Sequence, residues 1–192
     1  LSIQLLARGI SPFPLEMDKY FVDREHTPRD EDGEWNFESL DAVNRTQLSQ
    51  DIRHLIDGDQ VQLPHYDFQT GESRKGDTVQ LRPGQIIILE GIHGLNPALL
   101  PEFPQSSTYR IYVSALTQLN LDRHNRVSTT DTRLIRRIVR DANQRGYSAM
   151  DTIKRWESVR RGEKQYIFPY QDQADAMFNS ALLFELAVLK DY

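Results

Sequence analysis

The sequence predicts an α/β domain in which helices flank a largely parallel sheet. Residues 85–89 form a continuous apolar run, typical of a strand that is buried on both faces. Strand-like and helix-like segments alternate along the chain, which favours parallel pairing through crossover connections. The length of 192 residues fits one domain, or one domain with an inserted lid. We therefore interpret residues 1–192 as a single domain.

Composition excludes several classes of protein. Hydrophobic residues make up 39% and charged residues 27% of the chain, which is typical of a folded protein and not of a disordered one. No apolar run approaches the ~18 residues of a membrane-spanning helix, so we expect no membrane partner. The absence of cysteine excludes thiol nucleophiles and zinc–thiolate sites, and it is compatible with the cytoplasm, where we expect the protein. The five histidines lack the spacing of metal ligands.

The first half of the chain alternates between short elements and turns. The spacing of its leucines predicts the last turns of a helix at 1–9, and turn-forming residues predict a surface loop at 23–38. A helix follows at 39–57, capped by Ser39 or Asp41. The remaining predicted elements are a strand at 11–17, strands at 60–63 and 78–81 around a polar turn at 69–77, and the buried strand at 85–89.

The second half is predicted to be mainly helical. A sharp break at 91–94 follows the buried strand, and a further strand is predicted at 109–113. Helical spacing predicts helices at 117–127, 131–145 and 148–161. The apolar segment 181–189 fits a strand or a helix, and we favour a helix.

Positive charge is concentrated in one segment of the chain. Residues 123–164 carry 12 basic and 5 acidic side chains, whereas the remainder carries 11 basic and 23 acidic ones. Four arginines at helical spacing share one face: Arg133, Arg136, Arg137 and Arg140. Because guanidinium groups bind phosphate bidentately, this face favours a polyphosphate ligand over a merely solvated surface. We expect no direct nucleic-acid binding, since few aromatic residues accompany the arginines and the rest of the chain is acidic.

Two carboxylates come directly after predicted strands. Glu90 ends the buried strand and precedes glycines, and Asp18 ends the earlier strand. In open α/β sheets, ligands bind outside the carboxyl ends of the strands. One carboxylate there is typical of a magnesium-assisted phosphoryl-transfer site, and a second can receive the proton of a substrate hydroxyl. Either acid could instead cap a turn, but the two together favour a function. His93 follows Glu90 and can face the same site.

These residues belong to motifs that together identify a family. The motifs are Met17-Asp18-Lys19-Tyr20-Phe21, Trp35-Asn36-Phe37-Glu38, Leu63-Pro64-His65-Tyr66-Asp67-Phe68, Leu89-Glu90-Gly91-Ile92 and the arginine helix from Asp131 to Asp141. With them the chain resembles, over nearly its whole length, the uridine kinase/phosphoribulokinase family of P-loop kinases. More closely, it resembles the kinase domain of bacterial nucleoside kinase-like proteins. In those proteins, TGS and threonyl-tRNA-synthetase-like editing modules precede the kinase domain in the chain.

The resemblance implies a P-loop NTPase-type fold, ATP and magnesium as cofactors and a nucleoside-like substrate. It implies that Asp18 is the catalytic base and that Asp18 and Glu90 hold the magnesium ion, directly or through water. It is compatible with a homo-oligomer and with upstream TGS and editing-like domains. The other implied site residues are Tyr20, Glu38, Tyr66 and Arg137 at the substrate, and Arg133, Arg136, Arg140 and Arg145 at the phosphates, within a helical lid at 123–164.

The chain departs from the family pattern at several positions. The loop at 69–74 lacks the histidine that uridine–cytidine kinases carry, Tyr147 and Arg155 replace their arginine and glutamine, and Glu38 replaces the usual aspartate. The motif G-x-x-x-x-G-K-[ST] does not occur in the 192 residues. In the family this motif precedes the helix at 1–9, so we expect it upstream, and we expect the 192 residues alone to be inactive.

Three hypotheses about function remain open from the sequence. The first is phosphoryl transfer from ATP to a nucleoside hydroxyl. The second is the same chemistry on another small alcohol or on a phosphorylated sugar, for which Arg155 is a hint. The third is a nucleotide-binding module without catalysis.

Overall fold

The computed structural model describes residues 1–116, 120 and 122–192. These residues form two compact units, Leu1–Pro104 and Gln105–Tyr192. The elements of the first unit are α1 (Ser2–Leu6), β1 (Ser11–Glu16), α2 (Arg45–Asp57), β2 (Gln60–Asp67), β3 (Glu72–Gln80) and β4 (Gln85–Glu90). Those of the second unit are β5 (Ile111–Ser114), α3 (Thr129–Arg140), α4 (Ala149–Gly162), β6 (Ala176–Asn179) and α5 (Glu185–Leu189).

The described part of the chain contains three pairs of strands, of which two are parallel. β1 pairs with β4 and β5 pairs with β6 in parallel, whereas β2 and β3 form an antiparallel hairpin. Parallel neighbours need a long crossover, and the crossover from β1 to β4 contains α2 and the hairpin. The predicted α/β class with largely parallel pairing is therefore confirmed.

Helix α2 begins later than predicted. The Asn44 side chain accepts a hydrogen bond from the Gln47 N–H at 3.1 Å and caps the helix, and Gly58 ends it with a φ of +86°. Ser39, a predicted cap, accepts the Asp41 N–H at 3.3 Å and closes only the short 3-10 turn Leu40–Ala42. The predicted caps were wrong because Val43 has extended backbone angles that separate the 3-10 turn from the helix.

The β2–β3 hairpin is longer than the sequence predicted. β2 continues to Asp67, and β3 begins at Glu72, within the segment 69–77 that the sequence predicts as a polar turn; only residues 68–71 connect the two strands. The predicted strand at 78–81 covers only the end of β3, because the first residues of β3 are polar and exposed and their composition resembles a loop. β4 lies where it was predicted, but its side chains are only partly buried, and Ile86 is exposed.

The second unit is mainly helical, as predicted. α3 and α4 each continue into a π-helical turn, Asp141–Arg145 and Glu163–Ile167, and α5 occupies part of the segment 181–189. The predicted helix at 117–127 falls partly on residues 117–119 and 121, which lie outside the described residues. Residues 120 and 122–127 form a turn closed by an Asn120–Arg126 bridge, not a helix. Strand β6 was not predicted.

The core of the first unit joins its sheet, its hairpin and α2. Apolar residues of these elements are almost completely inaccessible to solvent: Leu15, Met17, Leu48, Ile52, Leu55, Val61 and Leu63. This packing holds the ends of β1 and β4 in place. No helix among the described residues is long and apolar enough to cross a membrane.

Candidate active site

Two carboxylates stand at neighbouring strand ends of the first unit. β1 and β4 run in parallel with Glu16 opposite Glu90, which is the last residue of β4. Asp18 lies two residues beyond β1, on the 3-10 turn Met17–Tyr20. Because parallel neighbours end at the same edge of a sheet, the structure brings the two predicted catalytic acids to one edge.

The acids at this edge repel one another. Burial raises the pKa of the Glu90 carboxyl group, and the negative charges of Asp18 and Glu16 raise it further. Glu90 as a whole residue nevertheless remains exposed, so a ligand can reach it. A bound cation would remove the repulsion, and carboxylate oxygens are the ligands that Mg²⁺ prefers. The residues at this edge therefore fit magnesium.

Protein side chains alone would not complete the coordination of such an ion. Among the described residues, no cluster of three or more histidine, aspartate or glutamate side chains could hold a metal. Mg²⁺ typically binds through one or two carboxylates and keeps water and substrate phosphate oxygens as its other ligands. The two-acid arrangement of Asp18 and Glu90 matches that mode of binding.

A glycine allows the two strand ends to touch. Gly91 follows Glu90 and has a φ of +154°, a conformation that residues with a side chain rarely adopt. A Cβ atom at this position would lie 2.6 Å from the Cβ of Met17. Glycine at position 91 is therefore required for the close approach of the segments that carry Glu90 and Asp18.

The predicted substrate residues Tyr66 and Glu38 belong to two segments joined by aromatic packing. The Tyr66 ring makes edge-to-face contacts with Phe21 and Phe68, with centroids 5.5 and 5.2 Å apart, and only 3% of Tyr66 is exposed. Phe37 packs on the other side of this cluster, 5.9 Å from Phe21. Glu38 follows Phe37 and is half-buried. The cluster thus fixes the Glu38 segment against the hairpin.

Tyr20 is the last residue of the 3-10 turn that carries Asp18. Its side chain is 1% exposed, and its hydroxyl faces Asp51 of α2. Burial and the neighbouring Asp51 carboxylate raise the pKa of Tyr20, and burial also raises the pKa of Asp51. The structure therefore shows Tyr20 as a packing residue, and the predicted contact with substrate stays a prediction.

His93 does not face the strand ends. It is 0% exposed and packs against the segment of Ser39, Asp41 and Arg45. Burial lowers its pKa to about 4; the positive charge of Arg45 also lowers it, while the Ser39 backbone and Asp41 oppose the shift. His93 is therefore a neutral internal residue near pH 7. It follows Glu90 by three residues and packs next to the backbone that follows Glu38.

The predicted arginine face exists in the second unit. Four arginines of α3 line one small cavity of about 170 Å³ together with Trp156 and Val159 of α4: Arg133, Arg136, Arg137 and Arg140. The spacing argument from the sequence is therefore correct about the shared face. The cavity is smaller than most ligand pockets, so it suits part of a ligand, such as a phosphate group.

Acidic side chains accompany these arginines. Glu163 is 1% exposed and pairs with arginines from both α3 and α4, and Asp141 is 4% exposed and sits within reach of three arginines. The pairs are Arg133 and Arg160 with Glu163; Arg136 with Glu185, including an Nη2–Oε2 distance of 2.6 Å; and Arg137, Arg140 and Arg145 with Asp141 at 3.4, 2.9 and 3.9 Å. A phosphate bound to this face would either displace a carboxylate from its arginine or bind to the arginines in addition to these carboxylates.

Arg155, which the sequence analysis took as a hint of a phosphorylated acceptor, contacts an aromatic ring of the second unit. Its guanidinium group lies 5.1 Å from the centroid of the Tyr147 ring, a cation–π distance. Arg155 and Tyr147 thus contact each other within the second unit.

The structure groups the predicted residues by unit. Asp18, Tyr20, Glu38, Tyr66 and Glu90 lie in the first unit, and all the predicted lid arginines, Arg145 included, lie in the second.

Sequence analysis missed the acids that hold the arginines. The i, i+4 spacing of Arg137 and Asp141 and the i, i+3 spacing of Arg160 and Glu163 could have revealed two of these pairs. No local signal pointed to Asp51 or Glu185, because their partners are distant in sequence.

Comparisons with known proteins identify the family of this chain. The model of the phosphoribulokinase/uridine kinase family matches residues 14–184. A uridine kinase from Clostridium botulinum (strain Langeland / NCTC 10281 / Type F) is 31% identical over 162 residues, which cover 84% of this chain and 70% of that protein. A uridine kinase from Bacillus subtilis (strain 168) is 30% identical over 169 residues, covering 88% and 72%.

Solved structures show the same fold. A structure described as a possible uridine kinase from Bacillus stearothermophilus has a TM-score of 0.52 and 21% identity, covering 93% of this chain and 77% of that one. The YGR205w protein has a TM-score of 0.57 and 16% identity, covering 90% and 73%. The predicted P-loop NTPase-type α/β fold is thereby confirmed.

Proposed function

The chain belongs to the phosphoribulokinase/uridine kinase family, and we propose that it takes part in transfer of the γ-phosphoryl group of ATP to a hydroxyl group of a nucleoside-like molecule. The observation that carries the proposal is the convergence of Asp18 and Glu90 at the ends of two adjacent parallel strands. This edge of the sheet is where ligands of α/β proteins bind.

In the proposed reaction, Asp18 is the base. The acceptor oxygen forms a bond to the γ-phosphorus, the bond between that phosphorus and the β–γ bridging oxygen breaks, and ADP leaves. Asp18 aligns the acceptor hydroxyl and takes its proton. Alignment matters more than basicity, since catalysis of phosphoryl transfer rests mainly on positioning and charge neutralisation.

Glu90 has a supporting role in this proposal. Together with Asp18 it would hold magnesium, which neutralises charge on the phosphate oxygens when bound. The raised pKa of Glu90 supports this role, because crowded carboxylates favour a cation between them.

The remaining roles follow the same proposal. Closure of the arginine segment over the phosphates would exclude water and so limit hydrolysis of ATP. We assign Tyr20, Glu38, Tyr66 and Arg137 to the substrate, and Arg133, Arg136, Arg140 and Arg145 to the phosphates.

The test is a pair of substitutions in the full-length gene product. Asp18→Asn keeps the shape of the side chain and removes the base, so we expect the turnover of a nucleoside with ATP and Mg²⁺ to fall by about 10²–10⁴-fold. ATP binding, measured by calorimetry, should change little. Asp77→Asn is the control, since Asp77 is an exposed acid on β3 and should have no effect. Turnover retained by Asp18→Asn would refute the assignment of the base.

The same assay separates the rival functions. Nucleosides, unphosphorylated sugars and phosphorylated sugars are compared as acceptors, with ADP release and product mass as readouts. ATP binding without transfer to any acceptor would favour a binding module over an enzyme. The 192-residue chain is assayed in parallel; we expect it to be inactive alone, because G-x-x-x-x-G-K-[ST] does not occur in it.

A further inference from the structure

One arginine of the α3 face is held by an acid from a separate helix. Four arginines of α3 share this face and line the cavity of about 170 Å³. Glu163 and Asp141 pair with three of the four, and both acids belong to the turns that continue α4 and α3. Glu185 belongs instead to α5, and it holds Arg136 across 49 residues of sequence. This pair therefore ties a separate element to the face that we propose binds phosphates.

The segment of α5 occupies one edge of the Arg136 guanidinium group. Nη2 of Arg136 donates to Oε2 of Glu185 at 2.6 Å, and Nε of Arg136 pairs with Oε1 of the same carboxylate. Nη2 also donates to the carbonyl oxygen of Ser180, which precedes α5, at 3.1 Å. Because arginine binds a phosphate group through the same fork of two donors, a phosphate and Glu185 cannot both occupy this edge.

The pair of Arg136 and Glu185 has no net charge. Hydrogen bonds from Arg136 lower the pKa of the Glu185 carboxyl group although the group is partly buried, so Glu185 is ionised near pH 7. The other two acids leave the face positive, because Glu163 pairs with two arginines and Asp141 lies near three. A polyphosphate at this face therefore meets a net positive charge, with Glu185 as its rival for Arg136.

Helix α5 can leave the face at little cost. The Glu185 side chain is 12% exposed, whereas Glu163 and Asp141 are almost completely buried. α5 has five residues and none of them is buried, and the neighbouring Phe184 is more than half exposed. A helix this short is unstable without its contacts, and its release exposes little apolar area. The position of α5 against α3 therefore depends on the pair with Arg136.

We propose that Glu185 and the phosphate ligand compete for Arg136. In one state Glu185 holds Arg136 and α5 packs against α3; in the other, a polyphosphate replaces the carboxylate and α5 is released. Glu163 and Asp141 keep their arginines in both states, because each is buried and pairs with more than one. The inference rests on the proposed function, in which this face binds the phosphates of ATP, and it adds a contact that lowers the affinity for them.

The first test measures the affinity for inorganic tripolyphosphate. It is titrated calorimetrically, at constant ionic strength, into the 192-residue chain and into two variants. Glu185→Gln keeps the shape of the side chain and removes the competing charge, so tripolyphosphate should bind about 3- to 10-fold more tightly. Glu157→Gln is the matched control, since it makes the same charge change in the same unit at an exposed acid that lies 3.9 Å from Arg161. It should leave the affinity unchanged.

The second test needs no substitution. Hydrogen exchange of residues 181–192 is compared in the parent chain with and without tripolyphosphate, and it should become faster when tripolyphosphate binds, whereas exchange in α3 should not. Urea unfolding shows whether each variant is folded, and the exchange of the parent tests the inference even if Glu185→Gln is unstable. Weaker or unchanged binding by folded Glu185→Gln, no binding at all, or unchanged or slower exchange of residues 181–192 would each overturn the inference.

Failure of this inference can be told apart from failure of the proposed function. The full-length gene product and its Glu185→Gln variant are assayed for phosphoryl transfer. If both transfer the phosphoryl group with the same KM for ATP, the competition is refuted and the kinase activity stands. If tripolyphosphate binds Glu185→Gln more tightly and releases α5 in the parent, but no acceptor is phosphorylated, the competition stands and the kinase proposal fails.

Discussion

Acidification should destabilise the first unit through one buried histidine. His93 is 0% exposed, and burial lowers its pKa to about 4. In the unfolded chain the imidazole is in water and regains an ordinary pKa near 6.5. Between these two values the unfolded chain binds a proton that the folded chain does not. The free energy of unfolding must therefore fall as the pH falls through 6.5, and this loss is complete near pH 4.

The size of the effect follows from the two pKa values. Each pKa unit corresponds to about 1.36 kcal/mol, so lowering the pKa from 6.5 to about 4 predicts a loss of about 3 kcal/mol between pH 7 and pH 4. For a domain whose total stability is about 5–15 kcal/mol, this is a large fraction. Replacing His93 by glutamine should remove this part of the pH dependence, whatever it costs in stability at pH 7.

Urea unfolding of the first unit measures the effect. The chain has two tryptophans, Trp35 in the first unit and Trp156 in the second, so fluorescence in a Trp156→Phe background reports on the first unit alone. The free energy of unfolding is compared at pH 7, 6, 5 and 4.5 for the parent and for His93→Gln, and the difference should shrink as the pH falls. His65→Gln, at an exposed histidine of the hairpin, is the control. Parallel pH profiles for the parent and His93→Gln would refute the reasoning.

Two further predictions concern packing. Gly91→Ala should lower the free energy of unfolding by about 1–3 kcal/mol, because the φ of +154° at Gly91 and the nearby Met17 side chain both oppose a side chain there. Urea unfolding midpoints measure this loss. Gly94→Ala is the control and should have a smaller effect, since the nearest atom would lie 3.5 Å from its added Cβ. Glu163→Gln should cost about 3 kcal/mol in thermal or urea unfolding, since it breaks a buried ion pair, whereas the exposed Glu157→Gln should cost less than about 1 kcal/mol. Equal effects within either pair would contradict these assignments.

The sequence could predict those parts of the fold that local patterns encode. The apolar run of β4, the end of α2 at Gly58 and the two long helices of the second unit each have such a pattern. The polar first part of β3 has none, because its stability comes from pairing with β2 and not from its own composition. The start of α2 was missed for a similar reason, since Ser39 and Asn44 are both good caps and only the extended backbone of Val43 decides between them.

The candidate site, like the fold, could be predicted only where a local pattern encodes it. Two strand-end acids could be predicted because strand order and chain direction place them at one edge. The acids that pair with the arginines could not, since Glu185 lies 49 residues from Arg136. Helical spacing shows which side chains share a face, and it leaves open what they contact.

The charge pattern of the sequence follows the two units. The first unit carries 9 basic and 18 acidic side chains, a net charge of −9, and the second carries 14 basic and 10 acidic ones, a net charge of +4. A unit with this negative charge suits a metal ion and an uncharged acceptor, and it disfavours an anionic one. A unit rich in arginine suits phosphates. The opposite charges of the two units thus agree with the proposals that Asp18 and Glu90 hold a metal ion and that the arginines bind phosphates.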